Sequence, residues 1–256
     1  MTRFRHHPTM RVLLLVLFVL TASQATAYCR QALILALDVS GSVNETEYAQ
    51  QIDGLAAALQ DAGVQRLILD EPGSYVVLAA FEWSSQNHQS LVADWVEIKS
   101  SADLRRFADT VGAHRRQRAG LKTAIGRALE FSQRKLAEQA QCLRHTIDIS
   151  GDGKNNIGPI PKDVYARAEF NAITVNALVI DDKLNRTDET ARSAMRRYYE
   201  RNVIHGLGAF TEIAFGYGDY ADAIRRKLER ELEAPVIGWV EEHLQHPRLA
   251  ATRIAP

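Results

Sequence analysis

Three oxygen-bearing side chains stand at alternate positions directly after an apolar run. Asp38, Ser40 and Ser42 follow residues 32–37, which read ALILAL. Such a run is typical of a strand buried on both faces of a parallel sheet. A carboxylate and two hydroxyls are hard donors, which suit Mg²⁺ or Mn²⁺ better than a soft metal. Because ligand sites in open α/β sheets lie beyond the carboxyl ends of strands, this spacing predicts a metal loop.

Two later segments carry residues that fit the same site. Thr123 stands in residues 120–126, just before an amphipathic stretch, and Asp152 stands in residues 150–153, just after a second apolar run. Since parallel strands end at one edge of a sheet, we expect both loops to lie beside Asp38. Each loop alone has an ordinary explanation, because Asp and Thr cap helices and Ser forms turn bonds. Three such loops in this order favour a metal site.

Together the three loops resemble the metal-ion-dependent adhesion site of the von Willebrand factor A domain, also called the integrin I-type domain. Carried over position by position, that family's motif residues fall on Asp38, Ser40, Ser42, Thr123 and Asp152. The resemblance covers about residues 31–233 and is closest to exported, single-domain bacterial members without an established activity. The third loop departs from the common form by an extra glycine and two asparagines. This departure leaves open whether Asp152 would bind a metal directly or through water.

The resemblance implies a function as well as a fold. Three neutral hydroxyls and two carboxylates would leave a bound divalent cation electrophilic. Family members use such a site to bind a carboxylate of a partner protein. The resemblance therefore implies a protein-binding module rather than an enzyme, with Mg²⁺ or Mn²⁺ as cofactor and Ca²⁺ as an alternative. Two other hypotheses stay open: a Mg²⁺-dependent hydrolase, and a structural scaffold with a vestigial site.

Strand-like and helix-like patterns alternate along the chain. Residues 45–61, 123–139, 162–170 and 220–233 have the apolar spacing of helices, and residues 91–98 form a short apolar segment typical of an edge strand. The order predicts an α/β fold of von Willebrand factor A type. Its sheet would be doubly wound and mostly parallel, with one antiparallel edge strand and helices on both faces.

The first residues have the pattern of an export signal. Three arginines and then nine apolar residues, 12–20, precede an A-x-A site at residues 25–27. Because nine apolar residues are too few to span a bilayer, this pattern predicts a signal peptide over residues 1–27. We therefore expect an exported protein, periplasmic or secreted, with one domain over residues 28–235 and a C-terminal helix or tail over residues 236–256.

The two cysteines, Cys29 and Cys142, each precede a predicted strand by a few residues. In a doubly wound sheet these strands can be parallel neighbours, which would bring their N-terminal ends together. An exported location favours oxidation of such a pair. We expect a Cys29–Cys142 disulfide, and two buried free thiols are the alternative.

Charge and the remaining patterns say less about partners. Without the three signal arginines, 28 basic residues face 31 acidic ones, so the composition indicates neither nucleic acid nor an anionic membrane surface. The basic residues 115–118 are either a solvated loop or an attraction for an acidic partner. His88 reads as a solvated loop residue. Trp239, in the apolar pattern of the tail, either packs onto its own domain or binds a partner.

Overall fold

The computed structural model describes residues 27–182 and 194–233. The predicted signal peptide, almost all of which precedes residue 27, and the C-terminal tail lie outside these residues. The elements run in the order β1 (Tyr28–Asp38), α1 (Glu45–Leu59), α2 (Ala62–Leu69), β2 (Ser74–Trp83), β3 (Gln89–Ile98), α3 (Ser101–Ala113), α4 (Ile125–Ala137), β4 (Arg144–Gly151), α5 (Pro161–Tyr165), β5 (Ile173–Ile180), α6 (Ala194–Asn202), β6 (Thr211–Ala214) and α7 (Tyr220–Leu232). Two 3₁₀ turns, Ala168–Phe170 and Tyr217–Asp219, precede β5 and α7.

One six-stranded sheet forms the centre of the described residues. Its strand order is β3-β2-β1-β4-β5-β6. Strands β2 and β3 pair antiparallel, and every other neighbouring pair is parallel. This arrangement confirms the predicted fold class and the antiparallel edge strand. It also places the carboxyl ends of β1, β4 and β5 along one edge.

The apolar run of β1 serves two cores, one on each face of the sheet. Leu33, Leu35 and Leu37 pack on the side of α1, α3 and α7, whereas Ile34 and the alanines beside it pack on the side of α4. Because successive side chains of a strand point to opposite faces, a strand covered by helices on both sides must be apolar throughout. This central position holds the end of β1 rigidly.

Helix α1 begins immediately after the first candidate metal loop, and a capping box fixes its start. The Asn44 side chain accepts from the backbone N–H groups of Thr46 and Glu47, and the Glu47 carboxylate accepts from the Asn44 backbone N–H at 2.8 Å. A reciprocal cap of this kind satisfies otherwise unpaired backbone donors at a helix start. It therefore limits how far the preceding loop can move.

Two local features differ from the sequence-based expectation. Residues 162–170, expected as one helix, form α5 and a 3₁₀ turn, because Arg167 is extended and its guanidinium reaches Glu130 at 2.7 Å. Helix α2 had no counterpart in the prediction. Asp61 caps it by accepting from the Gly63 N–H at 2.7 Å, and Val64 is among its buried residues.

The disulfide prediction is confirmed. Cys29 and Cys142 are bonded, with their Cα atoms 4.5 Å apart. Strands β1 and β4 are parallel neighbours, and the bond links the start of β1 to the segment just before β4. A buried disulfide indicates an oxidising environment. Within residues 27–182 and 194–233, no helix has the length and apolar character needed to cross a membrane.

Candidate metal site

Three loops bring the predicted site residues together at one edge of the sheet. The Ser40 and Ser42 hydroxyl oxygens lie 3.2 Å apart, and the Thr123 hydroxyl donates to Ser40 Oγ at 3.3 Å. The Ser42 hydroxyl in turn donates to Asp152 Oδ1 at 2.6 Å. A continuous chain of oxygen atoms therefore links the end of β1, the loop before α4 and the end of β4.

Asp38 is the buried carboxylate of this group. Its side chain is fully buried, and Oδ1 accepts from the Ser40 backbone N–H at 2.8 Å. Oδ2 is also buried but makes no hydrogen bond. Burial, and secondarily the nearby charge of Asp152, raise the pKa of Asp38 from 3.8 to about 7. A buried carboxylate oxygen without a partner is costly, so this atom fits a cation ligand.

Asp152 occupies the opposite side of the same group. Oδ1 accepts from Ser42, and Oδ2 accepts from the Tyr217 hydroxyl at 3.2 Å. Burial raises the pKa of Asp152, and its two side-chain hydrogen bonds offset part of that effect. Both carboxylate oxygens thus already have a protein donor. Whether Asp152 would bind a metal directly or through water stays a prediction.

The two asparagines of the third loop hold the second loop in place. Asn156 forms a reciprocal pair with Thr123: the Thr123 N–H donates to Asn156 Oδ1 at 2.9 Å, and the Asn156 N–H donates to the Thr123 carbonyl at 2.9 Å. Asn155 Oδ1 accepts from the Gly126 N–H at 3.3 Å. The departure from the common third-loop form therefore positions Thr123.

The extra glycine of the third loop also has a structural reason. A Cβ on Gly151 would lie 2.4 Å from the Tyr199 hydroxyl and 3.2 Å from Asp38 Oδ2. Tyr199 is buried and donates to the Gly153 carbonyl at 2.9 Å. Any side chain at residue 151 would displace Tyr199 from the loop and crowd the free oxygen of Asp38.

Sequence reasoning did not find the residues that support the site. Gln51 donates to the Asp38 carbonyl at 3.0 Å, and Tyr199 and Tyr217 contact the third loop. They come from α1, α6 and the turn before α7, outside the motif loops themselves. Gln51 is the only one of the three with a local signal, since it is a polar residue on the buried side of an amphipathic helix.

The buried carboxylate of Glu82 contacts two other segments, the one that contains Gln117 and the one that contains His88. Glu82 Oε1 accepts from the Gln117 backbone N–H at 3.0 Å, and His88 Nε2 lies 3.2 Å from the same oxygen. The interpretation of His88 as a solvated residue is therefore wrong. Its side chain is only 15% exposed, because it fills the space beside Glu82.

The basic residues 115–118 divide between structure and surface. Arg116 is largely buried and donates to the Val39 carbonyl at 3.0 Å, which supports the first loop from below. Arg115 and Arg118 are exposed. Arg116 thus stabilises the first loop, whereas Arg115 and Arg118 place positive charge on the surface near the candidate metal site.

The donor set determines which metals fit. Within the described ranges, no group of three or more His, Cys, Asp or Glu side chains is arranged to hold a metal ion. The candidate site has two carboxylates and three hydroxyls instead. Hydroxyl and carboxylate oxygens fit Mg²⁺, Mn²⁺ or Ca²⁺ better than a metal that prefers thiolate or imidazole.

Comparison with known proteins gives the family. Residues 28–236 match a family described as "Protein of unknown function (DUF1194)". The chain belongs to the DUF1194 family. Nothing among curated proteins matches this DUF1194 chain.

Solved structures share the fold of this DUF1194 chain. Proximal thread matrix protein 1 from the mussel byssus has a TM-score of 0.57 at 13% identity, over 80% of this chain and 48% of that one. Another structure of that protein, described as having a zinc-occupied MIDAS (metal-ion-dependent adhesion site) motif, has a TM-score of 0.55 at 12% identity, over 81% of this chain and 47% of that one. A von Willebrand factor type A structure from Catenulispora acidiphila has a TM-score of 0.53 at 14% identity, over 80% of this chain and 43% of that one.

These matches establish the fold alone, because the identities are low. The von Willebrand factor A fold inferred from the sequence is confirmed. The DUF1194 chain matches somewhat less than half the length of each of these structures.

Proposed function

We propose that this DUF1194 chain is an exported, metal-dependent protein-binding module. Asp38, Ser40, Ser42 and Thr123 would hold a divalent cation, with Asp152 binding directly or through water. When bound, the ion would offer a coordination position to an Asp or Glu carboxylate of a partner protein. The observation that carries the proposal is the buried, unpartnered Oδ2 of Asp38 beside three converging hydroxyls.

Electrostatics supports a cation at this position. Asp38 and Asp152 are both largely buried, and the charge of Asp152 helps to raise the pKa of Asp38. Two buried carboxylates that destabilise each other's ionised forms are stabilised by a divalent ion between them. Mg²⁺ or Mn²⁺ fits the oxygen donors best, and Ca²⁺ is the alternative. The zinc described for the mussel matrix protein is a property of that protein and does not identify the ion of this chain.

The surface around the site supports a protein partner. Ser42 is exposed, so the site opens to solvent. Leu121, in the second loop, is 79% exposed, and the exposed Lys122 and Lys154 stand beside the second and third loops. An apolar side chain next to the site and positive charge around it suit a partner that presents a carboxylate on an acidic surface.

The compartment follows from two independent features. The predicted signal peptide and the Cys29–Cys142 disulfide both favour an oxidising space outside the cytoplasm, either periplasmic or extracellular. The description of the mussel relative as a thread matrix protein agrees with an extracellular use of this fold.

A metal-dependent capture experiment tests this function. Immobilised wild type, Asp38→Ala and Asp53→Ala would each be incubated with the exported proteins of the host, in Mg²⁺ or in EDTA. Asp53 is an exposed carboxylate on α1 and is the matched control. We expect wild type and the control to retain the same protein in Mg²⁺ only, and Asp38→Ala to retain none.

The captured protein then identifies the bridging carboxylate. Exposed Asp and Glu residues of that protein would be changed singly to Asn and Gln, and one change should abolish retention. Retention that is indifferent to both EDTA and Asp38→Ala would contradict the proposal and favour the scaffold hypothesis.

A further inference from the structure

A groove lies at the opposite edge of the sheet from the metal loops. It has a volume of about 580 Å³, and its lining includes Leu143, Arg144, Leu207, Phe210 and Arg230. We call these five residues the basal groove. They lie at the N-terminal ends of the strands, since Arg144 begins β4 and Phe210 immediately precedes β6. The volume is in the range of pockets that hold a ligand or several side chains.

The groove exposes apolar groups that a folded domain normally covers. Leu207 is 100% exposed and Leu143 is 73% exposed, and the two line the same groove as Phe210. Large apolar side chains are common singly on protein surfaces, whereas these two line one groove, where a single apolar occupant could cover both.

Two arginines, Arg144 and Arg230, outnumber the one exposed carboxylate of the groove, that of Glu233. The Arg230 guanidinium stacks 3.8 Å from the centre of the Phe210 ring, and Arg144 donates to Gln31 Oε1 at 2.8 Å. Neither guanidinium forms an ion pair with a carboxylate in residues 27–182 and 194–233. An occupant with apolar groups and adjacent negative charge would fit both the exposed leucines and the two guanidinium groups.

The C-terminal tail of the same chain has this chemistry. Residues 236–244, the tail segment, read VIGWVEEHL, with five apolar side chains and the adjacent acids Glu241 and Glu242. The described part of the chain ends at Glu233, which itself lines the groove and whose carbonyl accepts from Arg144 at 3.5 Å. Only residues 234 and 235 separate the tail segment from this point, so residue 236 lies at most about 11 Å from Glu233.

We infer that the tail segment docks in the basal groove of its own chain. Trp239 and its apolar neighbours would cover Leu143, Leu207 and Phe210, and the two glutamates would pair with Arg144 and Arg230. The groove would then be an intramolecular interface, and the metal edge would remain the surface that is free for a partner.

Hydrogen exchange of the full chain, measured by mass spectrometry, tests this inference. We expect the amides of residues 236–244 to be protected equally at low and high protein concentration. Leu207→Ser should accelerate their exchange at least about tenfold, since it removes an apolar contact from the groove. Leu121→Ser, which changes another exposed leucine at the metal edge, should leave the exchange unchanged. Glu241→Lys combined with Glu242→Lys should also accelerate it.

Three results would overturn the inference. The first is fast exchange of the tail segment in wild type, and the second is protection that Leu207→Ser does not alter. The third is protection that appears only at high concentration, because the occupant would then be the tail of a second copy. Both serine substitutions replace exposed side chains, so a failure to fold would not confuse these outcomes.

Discussion

Replacing Asp38 by asparagine should make the metal-free protein more stable and insensitive to metal. The substitution keeps the shape of the side chain and removes one buried charge. Each pKa unit corresponds to about 1.4 kcal/mol, so the rise from 3.8 to about 7 makes ionised Asp38 unfavourable in the folded state by about 4 kcal/mol. The new amide N–H₂ would lie near the position of the unpartnered Oδ2, and an unsatisfied donor costs about 1–3 kcal/mol.

The net gain expected for Asp38→Asn at pH 8 in EDTA is therefore about 1–3 kcal/mol. For a domain of this size that corresponds to a rise in Tm of about 2–10 °C. The sign depends on pH, since a carboxyl whose pKa is raised in the folded state costs stability only when ionised. The advantage of the variant should be greatest above pH 7 and should shrink as the pH falls towards 4.

Differential scanning calorimetry in EDTA and in Mg²⁺ is the assay. Wild type should gain about 2.7 kcal/mol when Mg²⁺ is at a hundred times its dissociation constant, whereas Asp38→Asn should gain nothing. Asp53→Asn, on the exposed face of α1, should behave like wild type in every condition. The reasoning is refuted if Asp38→Asn loses stability in EDTA at pH 8, or if its Tm still rises with Mg²⁺.

Three further predictions concern the same molecule. Protons compete with the metal for Asp38, so Mg²⁺ affinity measured by calorimetric titration should fall roughly 25-fold from pH 7.5 to pH 5.5; equal affinity at both values would contradict the assignment of this ligand. Removing the disulfide with Cys29→Ala and Cys142→Ala opens a loop with a sequence separation of 113 residues and should lower the free energy of unfolding in urea by about 4–5 kcal/mol. Lys227 is fully buried and lies 2.7 Å from Asp148, so Lys227→Met should destabilise the fold by about 3–5 kcal/mol, and adding Asp148→Asn should recover part of that loss.

The parallel core could be predicted because its sequence pattern is redundant. The run ALILAL in β1 is apolar on both faces of the strand. Such a run is required only in a central strand of a sheet that helices cover on both sides. The Cys29–Cys142 pairing followed from the same topology, since it required only that β1 and β4 be neighbours. Helix α2 was missed because it has eight residues, which leaves little periodicity to detect.

The site could be predicted only as far as its motif residues. Asp38, Ser40 and Ser42 are close in sequence, so their spacing carries the signal. Tyr199 and Tyr217 reach the site through the tertiary fold, and no local pattern distinguishes them from ordinary core tyrosines. The sequence shows that Gly151, Asn155 and Asn156 depart from the common third-loop form. Their structural roles became visible only from their contacts in the fold.

Anomalous diffraction from crystals grown with Mn²⁺ is the most direct test for a divalent cation beside Asp38. We expect a manganese peak within bonding distance of Asp38 Oδ2 and the hydroxyls of Ser40, Ser42 and Thr123, and no peak there in crystals of Asp38→Asn. A wild-type crystal with no manganese at this edge, or with manganese bound only elsewhere, would contradict a metal site at Asp38.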